Sequence, residues 1–244
     1  MSQQVNVNRT LSFNDSAEHR TNIKGNPSTE RYCGVDWYDQ VAIDTTNDYV
    51  STLGGTGDAA ALVAGGATGV LLTTGSTDNE VSFLGTGLIF DISKSPEIEA
   101  RVTIDDVSGT SFFFGFSDAN TESTPASTID YADGTLAAAA TDAVGFVVDA
   151  DKSSSLMYAS SIATGGAVGA ASTGITWTDG QTKVLRVQLN TEGDAYFWVD
   201  GNLVAIRQSA VTDVPLCAVY NYGTRANDGS NTVTVKYLKK WQTI

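Results

Sequence analysis

The chain has 244 residues and a formal charge of −14, with only 14 Lys plus Arg. Nucleic-acid binding rests on clustered basic side chains, so a chain this acidic is not expected to hold phosphates. Two cysteines are too few for a disulfide scaffold, four prolines argue against a disordered or polyproline chain, and no stretch reaches the ~18 apolar residues of a membrane span.

Residues 1–36 are read as an extended N-terminal arm and 37–244 as one domain. The opening MSQQVNVNRT has no apolar core, so no signal peptide is expected. Synthesis in a reducing cytoplasm follows, with Cys33 and Cys217 as thiols. Charge is unevenly placed, +1 over residues 1–35 against −15 over the rest. Two readings stay open: a neutral leader on a soluble acidic domain, or an arm lying on an acidic partner surface. The partner-contact candidates in it are Val5, Arg9, Leu11, Phe13, Arg20, Lys24 and Arg31.

A first strand is expected to begin within Tyr32–Val41. Gly54-Gly55-Thr56-Gly57 is read as a loop, because no Lys-Ser/Thr follows to make a phosphate cradle. Val70–Thr73, Glu80–Leu84 and Ile89–Ile92 read as short strands. In Glu97–Ile104 the residues Ile98, Ala100, Val102 and Ile104 share one face. Glu97, Glu99, Arg101 and Thr103 share the other, which predicts a solvated cross-strand charge ladder.

Ser111–Ser117 holds four phenylalanines without polar alternation, the mark of a strand covered on both sides. Residues 118–141 are predicted to be a long surface loop and Gly165–Gly174 a flexible one. Asp142–Val148 and Leu156–Ser160 read as strands. Val184–Leu189, Ala195–Val199 and Leu203–Arg207 make a meander, closed by a hairpin at Asp200-Gly201. Val211–Tyr222 and Thr232–Trp241 end the chain. The pattern predicts an all-β, antiparallel two-sheet sandwich.

The ordered phrases EIEARV, SFFFGFSD, DAVGFVVD, VLRVQLNTEGDAYFWVDG and KYLKKWQ resemble the concanavalin A-like jelly roll of legume lectins, laminarinase-type glucanases and laminin-G-like modules. Within that superfamily, FFFGFSDAN, DAVGFVVDAD and the closing YxxxWQ resemble the head decoration, or cement, proteins of tailed bacteriophages. The resemblance spans residues 37–244. It implies a virion structural protein on the outer capsid surface, made in the bacterial cytoplasm. Its partners would be the major capsid protein and neighbouring copies in a homo-oligomer, with no nucleic acid and no membrane.

The resemblance also sets a test for catalysis. In the glucanases the strand corresponding to Asp142–Asp149 projects alternate carboxylates into a sugar cleft, and a retaining pair stands ~5–5.5 Å apart. Here the positions alternating with Asp142 are Val144, Phe146 and Val148, so the cleft is expected to be catalytically empty. Asp149 and Asp151, at the strand end, read as turn residues. The lone histidine, His19, lies in the arm, so neither a triad nor a zinc site is expected. No cofactor is expected; for a structural Ca2+ the weak candidates are Asp118, Asn120 and Asp228, whose types turn chemistry also explains.

A carbohydrate-binding module is the alternative. Trp37, Trp177, Trp198, Tyr220, Tyr222 and Trp241 are candidate stacking rings, with Trp177, Tyr220 and Tyr222 the chosen glycan contacts. Core packing competes as the reading for each of them, and most directly for Trp198.

Overall fold

The computed structural model describes residues 31–36, 38, 43–46, 48–54, 59–62, 69–120, 127–225 and 231–243. The strands of the first half are β1 (Arg31–Asp36), β2 (Tyr49–Leu53), β3 (Ala59–Leu62), β4 (Val70–Thr73), β5 (Val81–Thr86), β6 (Glu97–Ile104), β7 (Thr110–Ser117), β8 (Ile129–Ala132) and β9 (Thr135–Ala138). Those of the second are β10 (Ala143–Asp149), β11 (Ser153–Ile162), β12 (Gly169–Thr176), β13 (Thr182–Leu189), β14 (Ala195–Val199), β15 (Asn202–Arg207), β16 (Cys217–Thr224) and β17 (Thr232–Thr243). Among the described residues no helix is long and apolar enough to cross a membrane.

The strands form two antiparallel sheets and a detached hairpin. Sheet A runs β15-β14-β13-β6-β17-β4-β3, sheet B runs β12-β11-β10-β7-β16-β5-β2, and β8 pairs β9. The strand β17 has two neighbours along one edge. Thr232–Val235 pairs β4 and Leu238–Thr243 pairs β1, with a register shift against β6 between Val235 and Leu238. Among the described residues, Arg31–Asp36, read in sequence as part of the arm, already belongs to sheet A. Lys240 Nζ, 2.8 Å from the Asp36 carboxylate, ties β1 to β17, and the Tyr49 hydroxyl donates to the same carboxylate.

Alternation sets the core. Ile98, Ala100, Val102 and Ile104 of sheet A face Phe112, Phe114, Phe116, Val144, Phe146 and Val148 of sheet B in one buried cluster. The expectation of a doubly covered phenylalanine strand holds. All eight residues of β7 are buried, and Phe113 points away from the sandwich into a second cluster. Gly115 and Gly145 stand opposite each other across β7 and β10. A Cβ on Gly145 would lie 2.5 Å from the Phe114 carbonyl oxygen and 2.7 Å from the Phe113 ring. Glycine is required there so that the ring can lie flat across the sheet.

The predicted Asp200-Gly201 turn has φ of 49° and 81°, the double positive φ of a type I′ hairpin. Several expectations need correction. Ile89–Ile92 is no strand; Phe90 bridges Leu216 and a 3-10 turn spans Ile92–Lys94. Gly165–Gly174 is not all loop, because β12 occupies Gly169–Thr176. Residues 118–141 contain β8 and β9, joined at Asp133-Gly134 with φ of 49° and 74°.

Candidate functional site

The outer face of sheet B is where the resemblance places a cleft, and the β8–β9 hairpin lies on it. Ile129 and Tyr131 of β8, with Leu136 and Ala138 of β9, pack onto Phe113, Ala143, Val147, Tyr158, Ile162 and Val219. Alternation explains the fit: Ile129 and Tyr131 point down and are buried, while Asp130 between them is half-buried and Ala132 exposed.

One cation holds this hairpin in place. Arg225, 1% exposed, lies where the ends of β8, β10 and β16 meet. Its Nε and Nη2 reach the two oxygens of Asp149 at 3.1 and 2.9 Å, a fork-to-fork pair. Nη2 also reaches Asp130 at 2.8 Å, and Nη1 donates to the Asn79 side chain. The Asp149 carboxylate additionally accepts from the Ser111 hydroxyl and from the backbone N–H groups of Tyr131 and Asp151. Burial opposes the charge on Arg225, but hydrogen bonds and Coulomb attraction from Asp149 and Asp130 outweigh it and hold the guanidinium pKa above its ordinary value. Asp130 is pushed up chiefly by burial, to which the like charges of Asp149 and Asp151 add, against the pull of Arg225.

The register of β10 corrects the expected cleft lining. Val144, Phe146 and Val148 point into the sandwich. The hairpin faces Ala143 and Val147, with Asp149 engaged by Arg225. The Asp142 carboxylate, 3% exposed, accepts from Thr164 N–H at 3.0 Å and from Thr212 N–H and hydroxyl at 2.7 and 2.8 Å. It joins two loops. Asp149 and Asp151 are likewise more than turn residues, since Arg225 Nε also lies 3.6 Å from Asp151.

Sheet A turns a different surface outward. Glu97 and Glu99 are not a solvated ladder: they, Arg186 and Lys239 are all 5% exposed or less, whereas Arg101 is open to solvent. Arg186 Nε lies 3.1 Å from Glu97 and Lys239 Nζ 3.4 Å from Glu99, which also accepts from the Tyr237 hydroxyl at 3.0 Å. Opposite charges and neighbouring rings take the place of water here. The Arg186 guanidinium lies 4.0 Å above the Trp198 ring, and Lys239 lies 4.7 Å from that of Tyr237. Trp198 is itself half-exposed on this outer face rather than in the core.

The chosen glycan rings are all interior. Trp177 is fully buried against Phe112 and donates its indole N–H to the Gln181 carbonyl at 2.8 Å. Tyr220 stacks on Phe114, and Tyr222 is fully buried in the same core. Tyr220 and Tyr222 lie on the inward face of β16 and Trp177 is buried just after β12, so none presents a face to a sugar; Trp241 is buried as well. Trp37, Val5, Arg9, Leu11, Phe13, Arg20 and Lys24 lie outside the described residues, and Arg31 is described only as the backbone partner of Thr243.

Of the calcium candidates, Asp118 accepts from the Thr141 N–H at 3.2 Å and from its hydroxyl, which ties the turn after β7 to the residues before β10. Asn120 follows in the same turn, and Asp228 lies outside the described residues. Among the described residues no group of three or more His, Cys, Asp or Glu is arranged to hold a metal. Arg225 was missed in sequence. The signal that leads to it is Asp133-Gly134, the same hairpin dipeptide as Asp200-Gly201, because the hairpin it makes needs an anchor.

No family model and no curated protein matches the chain. Solved structures do match in fold. The carbohydrate recognition domain of Emp47p aligns with a TM-score of 0.60 at 13% identity, over 91% of this chain and 100% of that one. A Bacillus licheniformis β-glucanase aligns at 0.55 and 10% identity, over 85% and 97%. A Shewanella oneidensis MR-1 protein of unknown function, SO2946, aligns at 0.52 and 10%, over 94% and 95%. At these identities the likeness is one of architecture: this chain is an all-β jelly-roll sandwich of the concanavalin A-like kind.

Proposed function

We propose that this chain is a non-enzymatic structural protein that binds the outer surface of a tailed-phage head. The observation that carries the non-enzymatic part is the outer face of sheet B, occupied by β8–β9 and fastened by Arg225 to Asp149 and Asp130. A two-carboxylate mechanism needs open carboxylates with water between or beside them. The carboxylates of Asp142 and Asp149 are instead saturated with internal donors. Support for the virion part comes from the resemblance in FFFGFSDAN, DAVGFVVDAD and the closing YxxxWQ, which fall on and just after β7, on β10 and its flanking residues, and on β17. Residues 1–30 then serve as the anchor on the major capsid protein, and repeated copies add avidity to weak single contacts.

The test is co-sedimentation of the protein with expanded phage heads that lack it. The full chain is expected to pellet with heads, and a chain beginning at Arg31 to fold but stay in solution. Equal binding by both chains would remove the anchor role.

A second reading, a carbohydrate-binding module, draws on the fold shared with the Emp47p carbohydrate recognition domain across its whole length. Its ring would be Trp198 or Tyr196, the half-exposed pair on sheet A, and not Trp177, Tyr220 or Tyr222. Glycan-array retention that is lost in Trp198→Ala would favour it.

A further inference from the structure

The outer edge of β15 has no hydrogen-bonded neighbour among the described residues. Natural sheets protect such edges by brevity, charge, proline or irregular backbone, because open N–H and C=O groups recruit further strands. Two other edges fit that rule: β3 has four residues, and β12 contains a left-handed glycine, Gly174. β15 carries an irregularity of its own, a register shift against β14 at Val204, and yet displays Leu203 at 49% and Ile206 at 52% exposure. Its one charged residue, Arg207, turns inward, with Nε 3.1 Å from the Ser161 hydroxyl of sheet B.

The apolar surface extends across β14. A register shift in the β14–β15 pairing brings Leu203 opposite Trp198 and Ile206 opposite Tyr196, so both aliphatic side chains share the outward face despite odd spacing. The two rings stack at 6.0 Å, with the Arg186 guanidinium on Trp198 behind them. A compact block of Leu, Ile, Trp, Tyr and Arg beside an open strand edge has the composition of an interface centre.

We infer that β15 is the contact through which two copies of this chain associate, edge to edge, continuing sheet A across a two-fold axis. The occupant follows from self-complementarity. With the axis between Val204 and Ala205, antiparallel pairing sets Leu203 opposite Ile206 of the second copy, Ile206 opposite its Leu203, and Asn202 opposite its Arg207. Both exposed aliphatic residues then cover each other on one face, and an isologous contact requires that match. A six-residue edge buries less than the ~1,600 Å² of a standard interface, so the dimer is a reversible one. The inference does not depend on the virion reading.

Sedimentation equilibrium of the full chain, from submicromolar to submillimolar concentration, tests it. The weight-average mass is expected to rise from monomer to dimer. Ile206→Lys is expected to weaken association more than tenfold with an unchanged thermal midpoint, since residue 206 is already exposed. The paired substitution Leu203→Cys with Ile206→Cys is expected to give a disulfide-linked dimer without reductant, because opposed strand residues stand about 4.5–5.5 Å apart, within disulfide reach. A monomer at every concentration overturns the inference, as does a dimer whose affinity Ile206→Lys leaves intact or in which the paired cysteines fail to cross-link. A monomer whose β15 amides are protected from exchange also overturns it, in favour of another strand on that edge.

Discussion

At the residue scale the molecule turns on Arg225. It is an arginine rather than a lysine because Asp149 and Asp130 are addressed together and only a planar fork reaches both. Removing it leaves Asp149 buried and unpaired, so Arg225→Ala is expected to lower the unfolding free energy by about 3–5 kcal/mol. Urea denaturation measures this, and Arg225→Lys is expected to recover only part of the loss. Gly145 supplies a second test. Gly145→Ala forces a methyl group against the Phe114 carbonyl oxygen and the Phe113 ring, at an expected cost of about 1–3 kcal/mol.

Asp130 gives the pH test. Its folded pKa is raised, so its contribution to stability is larger below that pKa and is lost as pH rises through it. The stability of the natural chain minus that of Asp130→Asn is therefore expected to increase as pH falls from neutral toward the ordinary carboxylate range. Equilibrium urea midpoints at a series of pH values report the difference, in which carboxylates remote from Asp130 cancel. A difference that shrinks on acidification contradicts the assignment.

At the element scale the decisive piece is the β8–β9 hairpin. Ile129 is fully buried beneath it, and Ile129→Ala is expected to cost about 2–5 kcal/mol. Limited proteolysis of that variant is expected to cut within residues 127–142 first. The hairpin also marks the limit of what the sequence shows. Alternation in Glu97–Ile104 and in the Val184–Arg207 meander reads directly, since large apolar residues leave a clear period of two. The stretch Thr135–Ala138 reads TLAA, with Leu136 its one large apolar residue, and alanine carries almost no periodic signal, so β9 is hidden unless Asp133-Gly134 is taken seriously. The β12 strand is hidden for the same reason by Gly169, Ala170, Ala171 and Gly174.

Alternation also reports which residues share a face and not what lies against that face. Glu97 and Glu99 were legible as neighbours, but their burial came from Arg186, Lys239 and the surrounding rings on strands distant in sequence. Tyr220 and Tyr222 fail as sugar contacts because the choice between the two faces of β16 is made by tertiary packing alone. The carboxylate reading fared differently: the scarcity of paired acids on β10 was visible, but the set facing outward was the opposite one.

At the scale of the whole molecule, two sheets and one hairpin make three layers, with apolar contacts on both sides of sheet B. This arrangement converts the face that the glucanase resemblance assigns to substrate into a second core. On the proposed reading, function lies at the periphery: in the segment before Arg31, in the half-exposed Trp198 and Tyr196, and at the outer edge of β15. Each of these carries its own test above, and the failure of one leaves the others standing.

The closed face of sheet B is tested most directly by hydrogen exchange, read by mass spectrometry on the full chain with and without a β-glucan oligosaccharide. The backbone amides of β8, β9 and β10 are expected to exchange together, only through global unfolding, and to be unchanged by the oligosaccharide. Fast exchange of β8 and β9 ahead of β10, slowed or altered by the sugar, would show a cleft that opens to substrate and contradict this account.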